Sequence, residues 1–529
     1  MLAALGADGA TRPLTVAQLR GSRLVSVRDL GAVGDGRSHP LSERFASLAA
    51  ARRAFPRAGS LADELDWAAT QAGIDLLAAG GGGTLLSPAG TYRCNRTLTF
   101  PECREYGARG AEVNWLGEGK YATTYHWPQD LGPGGFAVLC PRRHEADGMY
   151  EGVWQDLGLL GPGLAAPGPG ESPARMDGWG WGARRRMVRC AASRFRAGLS
   201  LVGDHARFAD LVSRECYYAV HFPAPSAHLY GDLLFEKCMF SGCGMAAVGV
   251  APEAQMGGCT MLACYLGGSP YGILKEAGAG EAIMLGGCHF LNCMFEFIGN
   301  GWLQDGNRPL RALVRETTFE SCYFDWSDRG RWAGAPRAAA WQFHRAEHLR
   351  WLQFKEPFAL RPGDAAFLQV EVAEGCEIAG RLGPLLAQCA AAGRPLLHPG
   401  VLHDAFRGWR LAQPGDWEGG LALLEAGSAP VQPGEVVEWG RQGRVRRGSL
   451  SAQPVAGVCL LPAGPGGFTV LARSGPAVKV RAPSGRADGW LAKGPEGTAI
   501  PAGAEAAGRI GWCFHLRDGQ AVVALGQGG

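Results

Sequence analysis

Hydrophobic residues recur around a cysteine at regular places in the middle of the chain. The segments read MVRCAA (187–192), SRECYY (213–218), FEKCMF (235–240), MLACYL (261–266), FLNCMF (290–295) and FESCYF (319–324). Their central cysteines, spaced 22–29 residues apart, are Cys190, Cys216, Cys238, Cys264, Cys293 and Cys322. A repeat of this length in a glycine-rich, strand-prone sequence predicts a solenoid of stacked coils.

The pattern also predicts the cross-section of one coil. Alternate residues of a strand share a face, so Cys238 and Phe240 point the same way. Phe235 breaks this parity, and a bend at the polar pair Glu236-Lys237 restores it. Each coil therefore has a strand, a tight corner and a second strand, with both strands facing inward, as in a parallel β-helix. Cys259 and Cys288 each precede a central cysteine by five residues and predict a second, shorter inward file.

The cysteines are expected to be reduced packing residues. The chain has 16 cysteines but no C-x-x-C pair, so a zinc site is not expected. Cysteine is among the most buried residue types, and a stacked column of thiols fits an ordinary core. We predict no metal and no cofactor.

Composition and charge narrow the class of protein. The net charge is +3 over 529 residues, which does not indicate a nucleic-acid binder or a membrane-surface protein. Glycine, at 81 residues, predicts many tight turns and few long helices. Charged residues are only 19% of the chain, which indicates that part of the protein surface is buried by assembly with other subunits or proteins. The N-terminus lacks a signal-peptide pattern, and no apolar run is long enough to span a membrane.

Three pieces near the N-terminus occur in a characteristic order. They are VSVRDLGAVGDG, the helix-like LADELDWAATQAGIDLLAA (61–79) and GGGGTLLSPAGTYRC (80–94). Together they resemble the N-terminal signature of the pectate-lyase-like, phage-tailspike-type right-handed parallel β-helix family, which is related to glycoside hydrolase family 28. The resemblance implies that the helix covers the open end of the β-helix, whose bare edge would otherwise promote aggregation. GTLLSPAGTYRC would then form the first coil.

The sequence departs from this signature after the Gly-Asp-Gly loop. Family members often continue with a pair of aspartates and a threonine, whereas this chain has the helix-like insertion GRSHPLSERFASLAAARRAFPRAG. Any function carried by that aspartate pair is therefore not carried over, while the fold is unaffected.

Shifts in composition predict four regions. Residues 1–22 are a tail or anchor, 23–104 a capping region with the first coil, and 105–430 the β-helix with inserted loops. Within the β-helix region, Trp179 and Trp181 are expected to be exposed, and residues 383–393 are expected to form a short helix. Short alternating runs separated by Gly and Pro predict a small β domain over 431–529.

The residue after each central cysteine should point outward, and these residues form an aromatic and methionine column. Its members are Ala191, Tyr217, Met239, Tyr265, Met294 and Tyr323. An exposed apolar patch of this size usually marks an interaction site. The column can be a subunit interface in a trimer, a platform on which sugars stack, or a surface covered by a local loop.

Acidic residues lie two positions beyond this column in the later coils. Glu296 and Asp325 should be neighbours, with carboxyl groups roughly 5–6 Å apart, which suits the acid and nucleophile of a retaining glycosidase. Alternatively, the two carboxylates have no catalytic role and are either solvated or form an ion pair with another subunit. Asp328, Asp305 and Glu320 are nearby alternatives. For a lyase, Arg308, Arg311, His289 and Arg315 could neutralise a uronate.

These features favour three functions. The first is a spike or tailspike-like protein of a phage or gene-transfer particle, assembled in the bacterial cytoplasm, trimeric, and binding bacterial surface polysaccharide and other virion proteins. The second is a secreted or virion-borne polysaccharide lyase or glycoside hydrolase. The third is a structural virion fibre.

Overall fold

The chain folds into two compact units, residues 1–278 with 288–294 (unit 1) and residues 279–287 with 295–529 (unit 2). The computed structural model describes residues 24–350, apart from 102–111, 141–151, 164, 169, 182–185, 203–204, 224–230, 277–280, 297–299, 305–310 and 326–338. It also describes strands within 3–13 and 351–525.

Unit 1 is built as a right-handed parallel β-helix, which confirms the predicted fold class. Each coil contributes one strand to each of three parallel sheets. The first sheet contains Leu24–Ser26, Gly82–Leu86, Glu112–Leu116, Val153–Gln155, Arg186–Val188, Arg207–Ala209, Leu233–Glu236, Cys259–Leu262 and His289–Leu291. The second contains Gly90–Arg93, Thr123–His126, Gly158–Leu160, Ala191–Ser193, Val212–Arg214, Met239–Ser241 and Tyr265–Gly267, and Met294–Glu296 follows at the unit boundary. The third contains Leu98–Thr99, Phe136–Leu139, Asp177–Trp181, Ala197–Leu201, Tyr218–Phe222, Ala246–Val250 and Tyr271–Lys275; Met256–Gly257 is a further short strand.

The corner between the first and second sheets has the same backbone in successive coils. One residue has φ between 49° and 60°, and the next residue points inward; the positive-φ residues are Asp156, Arg189, Asp210, Lys237, Ala263 and Asn292. This left-handed conformation is unfavourable for residues with a Cβ. Opposite charges stacked at the corner offset part of the cost, since Arg189 donates two hydrogen bonds of 2.7 Å to Asp156.

The inward residue after this corner is most often a cysteine, as predicted. Cys190, Cys238, Cys264 and Cys293 are buried, and each thiol donates to the carbonyl two residues earlier at 3.5–3.6 Å. Cysteine suits the position because it combines an apolar surface with a weak donor that can satisfy a strand-end carbonyl. Cys259 and Cys288 are also buried, and strand register aligns them, as expected for the second file.

Cys216 does not lie in the inward column of Cys190, Cys238, Cys264 and Cys293, contrary to the prediction from the repeat. Strand pairing aligns Ala191 with Val212 and Val212 with Met239, so Leu211 is the residue that corresponds to Cys190 and Cys238. The repeat in this coil is therefore FADLVS (208–213). Cys216 lies at the next corner, where it aligns with Cys243, and both are buried.

The N-terminal segment covers the first coil, as the family resemblance implies. A 3-10 turn (Leu41–Glu43) and helix α1 (Leu48–Ala54) lie in the insertion, which confirms its helical character. Helix α2 (Leu65–Ala79), predicted over 61–79, is buried along most of its length and packs on the strands of the first coil. Buried Asp66 accepts hydrogen bonds from the backbone N–H groups of Val33 and Gly34, which fixes the glycine loop to the helix.

The glycines of the N-terminal Gly-Asp-Gly loop have a structural role. Gly34 has a φ of 66°, and a Cβ there would lie 2.8 Å from the ring of Tyr92. Asp35 forms an isolated parallel β-bridge with Thr91, so the loop continues the stack of coils beyond the first coil.

Large aromatic side chains fill the first coils. Trp115, Trp154 and Trp179 are fully buried, with ring centroids of neighbours 5.2–6.1 Å apart. The predicted exposure of Trp179 is therefore wrong, because its strand turns the indole into the core. The side chain of Trp181 lies outside the described residues.

Unit 2 begins with parallel strands and ends with two five-stranded antiparallel sheets. The parallel strands are Glu281–Gly286, Asn300–Gln304, Arg311–Arg315, Thr318–Glu320, Tyr323–Asp325, Ala339–Glu347, Arg350–Leu352, Lys355–Ala359, Ala366–Glu374, Cys376–Ala379 and Trp409–Ala412. The first antiparallel sheet contains Leu421–Glu425, Val436–Trp439, Val445–Arg447, Val455–Cys459 and Phe468–Ala472. The second contains Gly475–Arg481, Gly489–Lys493, Ala499–Pro501, Arg509–Arg517 and Gln520–Leu525.

The expected domain boundaries at 23, 105 and 431 stay predictions. In the predicted tail, Ala3–Leu5 pairs with Thr11–Pro13. The predicted helix at 383–393 lies outside the described residues.

Candidate functional site

The outward column of the second sheet is the main candidate site. In unit 1 strand pairing aligns Gly158, Ala191, Val212, Met239 and Tyr265 in successive coils. Met294 continues the column, since its backbone N–H donates to the carbonyl of Cys264 at 2.8 Å.

Tyr217 does not belong to this column, because it follows the misaligned Cys216. It directly precedes the third-sheet strand Tyr218–Phe222, and its ring packs edge-on against that of Tyr218 at 4.7 Å. Val212 occupies the place that the sequence assigned to Tyr217.

A loop covers the first half of the column. A Cβ on Gly158 would collide with the carbonyl oxygen of Lys120, so the loop 117–122 rests directly on this strand. The Lys120 ammonium reaches Asp210 at 2.8 Å, two coils further along. Ala191 and Val212 face outward, yet they are only 7% and 8% exposed. We call these three outward residues, Gly158, Ala191 and Val212, the covered strip.

The second half of the column is open. Met239 is 43% exposed and Met294 38%, with the half-buried Tyr265 between them. We call these three residues the open strip. Coils stack about 4.8 Å apart, so the strip presents apolar contacts at a regular spacing along the coil stack.

A polar row runs beside the strip, two residues further along each strand. Register aligns Ser193, Arg214, Ser241 and Gly267. Arg214 is exposed, and Gly267 leaves the surface next to Tyr265 without a side chain. Within the open strip Ser241 flanks Met239, and Arg214 lies one coil earlier, so apolar and polar groups are close enough to bind the two kinds of surface that a sugar presents.

The acidic pair lies on adjacent strands. Tyr323–Asp325 neighbours Met294–Glu296 in the second sheet, and each strand has its acidic residue in the third position. Glu296, Glu320 and Tyr323 are half-buried. The side chain of Asp325 and the residues Asp305 and Asp328 lie outside the described residues, so the distance between the carboxyl groups stays a prediction.

A polar cluster that the sequence analysis missed lies on the third sheet. His221 Nε2 and Glu276 Oε1 are 2.9 Å apart, and the ring of Tyr218 stacks on His221 at 4.9 Å. Burial raises the pKa of Glu276, but the hydrogen bond and charge of His221 and further polar neighbours outweigh it and lower the pKa overall. His221 is only 4% exposed, so the cluster joins coils rather than presenting a site. No sequence signal marks it, because His221 and Glu276 are 55 residues apart.

The buried thiols of Cys190 and Cys216 are held in the protonated form. Burial raises the pKa of Cys190 and of Cys216 to about 12, which disfavours the nucleophilic thiolate. Among the described residues, no group of three or more His, Cys, Asp or Glu side chains could hold a metal ion. Within the same residues, no helix is long and apolar enough to cross a membrane.

Comparisons with known proteins give a likeness only to solved structures. No family model matches the chain, and no curated protein matches it. The Agl-KA catalytic domain has 12% identity and a TM-score of 0.45, covering 78% of this chain and 70% of its own. The catalytic unit of a GH87 α-1,3-glucanase from Streptomyces thermodiastaticus has 13% identity and a TM-score of 0.39, covering 75% and 68%. The tailspike protein gp49 of Pseudomonas phage LKA1 has 12% identity and a TM-score of 0.39, covering 95% and 100%.

Proposed function

We propose that the protein is a spike or tailspike-like component of a phage or gene-transfer particle that binds bacterial surface polysaccharide along the open strip. The observation that carries this proposal is the exposure of Met239 and Met294, with the half-buried Tyr265 between them in the intervening coil. A chain polymer can lie along such a strip and repeat the same contacts from coil to coil.

The N-terminal signature and the thiols support the virion part of the proposal. The signature resembles that of the tailspike-type β-helix family. All the cysteines whose pairing is described are free and buried, which fits assembly in a reducing cytoplasm.

The binding experiment compares purified capsular polysaccharides from a panel of bacteria by biolayer interferometry. We expect at least one to bind, and Tyr265→Ala to weaken that binding at least tenfold, because aromatic stacking on the sugar is lost. Tyr271→Ala, which removes a half-buried tyrosine from the third sheet, is the matched control and should bind like wild type. Equal binding by Tyr265→Ala would exclude the open strip.

The same strip can instead hold a second copy of the chain, as in the expected trimer. Light scattering separates the two arrangements. A trimer gives three times the 55.9 kDa chain mass, and Tyr265→Glu would dissociate it if the strip is the interface. A trimer that survives Tyr265→Glu leaves the strip to polysaccharide.

A polysaccharide-degrading activity is the second candidate. The observation that favours it is that Glu296 and Asp325 are each the third residue of their strand and that the two strands are adjacent. Carboxyl groups roughly 5–5.5 Å apart would act as acid and nucleophile of a retaining glycosidase. Release of reducing ends should then disappear in Glu296→Gln and Asp325→Asn but persist in Glu316→Gln. Digestion by both site variants would refute the assignment.

A further inference from the structure

Two arginines occupy the same position on neighbouring strands of the first sheet. Register aligns Arg186 directly with Arg207, and both side chains are exposed on the outer face. Like charges placed directly opposite each other across two strands repel and destabilise the sheet. A bound anion would relieve this repulsion.

The acidic groups around this pair are engaged with other cations. Asp156 is bound by Arg189 at 2.7 Å, and Asp232 by His205 at 2.8 Å. Glu236 lies 3.6 Å from Lys237. Among the described residues, no carboxylate pairs with Arg186 or Arg207.

The outward row that contains the arginines is otherwise uncharged or basic. Register continues it through Val153 on one side and through Leu234, Thr260 and His289 on the other. Arg186 and Arg207 therefore place two positive charges side by side in this row, on adjacent coils.

We propose that Arg186 and Arg207 form a binding site for the carboxylate groups of an acidic polysaccharide. The planar guanidinium group binds a carboxylate through two parallel hydrogen bonds. Two such groups about 4.8 Å apart, the spacing of the strands, can hold one carboxylate between them or successive carboxylates of a polymer. This inference rests on the proposed function, since it names the class of polysaccharide that the spike binds.

The experiment uses end-labelled polygalacturonate and its carboxyl-reduced form, which differ only in charge. We expect the full-length protein to bind polygalacturonate at low ionic strength and not the reduced polymer, with binding weakened by added salt. Arg186→Ala/Arg207→Ala should bind at least tenfold more weakly. Arg186→Lys/Arg207→Lys should be intermediate, because the charge remains but the paired hydrogen bonds are lost. Arg53→Ala, an exposed arginine on α1, is the matched control and should stay within twofold of wild type.

Stability provides a second readout. Because the two arginines are exposed and repel, the unfolding midpoint of the double alanine variant should equal or exceed that of wild type. Equal affinity of the double variant and wild type, equal binding of both polymers, or no binding of polygalacturonate would each overturn the inference. Such a result leaves the proposed function standing if the capsule panel still gives a ligand that depends on Tyr265.

Discussion

The covered and open strips share one backbone but present different surfaces. In both, the corner residue has positive φ, the next residue points inward and the one after it points outward. The outward residues Ala191 and Val212 are buried, and Gly158 lies against the loop 117–122, whereas Met239 and Met294 are exposed and Tyr265 between them is half-buried. The coil backbone therefore fixes only direction, and the size of the outward side chain together with local loops decides where a ligand can bind.

The largest expected effect separates inward from outward positions. Leu211→Ala should lower the free energy of unfolding by about 2–5 kcal/mol, because it leaves a cavity at a fully buried site. Met239→Ala, at the exposed outward position of the next coil, should cost less than about 0.5 kcal/mol. Urea unfolding followed by tryptophan fluorescence measures both. Similar losses in the two variants would mean that the register is wrong.

The loop contact gives the next largest effect. Gly158→Val should destabilise by about 1–3 kcal/mol and expose the loop 117–122 to proteases, since its side chain would collide with the backbone at Lys120. Ser241→Val, in the polar row beside the open strip, should stay within about 0.5 kcal/mol of wild type. An intact loop in Gly158→Val would show that the strip is not covered in this way.

Alkaline pH tests the interior that both strips share. Burial raises the pKa of Cys190 to about 12, above the value of about 8.5 in an unfolded chain. Between these values the unfolded state loses the proton and the folded state keeps it, so stability falls as pH rises, by up to about 1.4 kcal/mol per pH unit for one thiol. Thermal unfolding from pH 8 to 11 should show a steep decline that is shallower in Cys190→Ser. Identical pH slopes would contradict the burial of this thiol.

The smallest effect concerns the Lys120–Asp210 ion pair. Lys120→Ala should cost about 1 kcal/mol or less, because the lysine side chain is largely covered but Asp210 remains partly exposed to solvent. Lys237→Ala, at a 73% exposed side chain, should be close to neutral in calorimetry. Equal midpoints for the two variants would mean that the pair does not hold the loop.

The sequence was sufficient for the repeat but not for its register in every coil. The cysteine spacing predicted the β-helix and the inward direction of Phe235, Cys238 and Phe240, all of which are buried. The cysteine spacing failed at Cys216. A coil has two corners at which a small inward residue fits, and the sequence does not show at which of the two corners a cysteine lies. Strand pairing with Ala191 and Met239 was needed to identify Leu211.

The surface was harder to predict than the core. The outward direction of Met239 and Met294 followed from the pattern, and both are exposed. Cover by a local loop was one of three interpretations of the column, but the pattern did not identify the loop 117–122 or the coils it covers, because Lys120 and Asp210 are 90 residues apart in sequence. The burial of Trp179 was missed for a related reason: its strand lies in a glycine-rich segment that resembles a projecting loop.

Methionine oxidation tests the offset rule and the binding face together. Dilute hydrogen peroxide should oxidise Met239 and Met294 rapidly in the folded protein and leave Met187 and Met261 unmodified, since the latter pair is fully buried. A bound capsular polysaccharide should then slow oxidation of Met239 and Met294 alone, as mass spectrometry of peptides would show. Equal oxidation of all four methionines, or no protection of Met239 and Met294 by a polysaccharide that binds, would contradict the account.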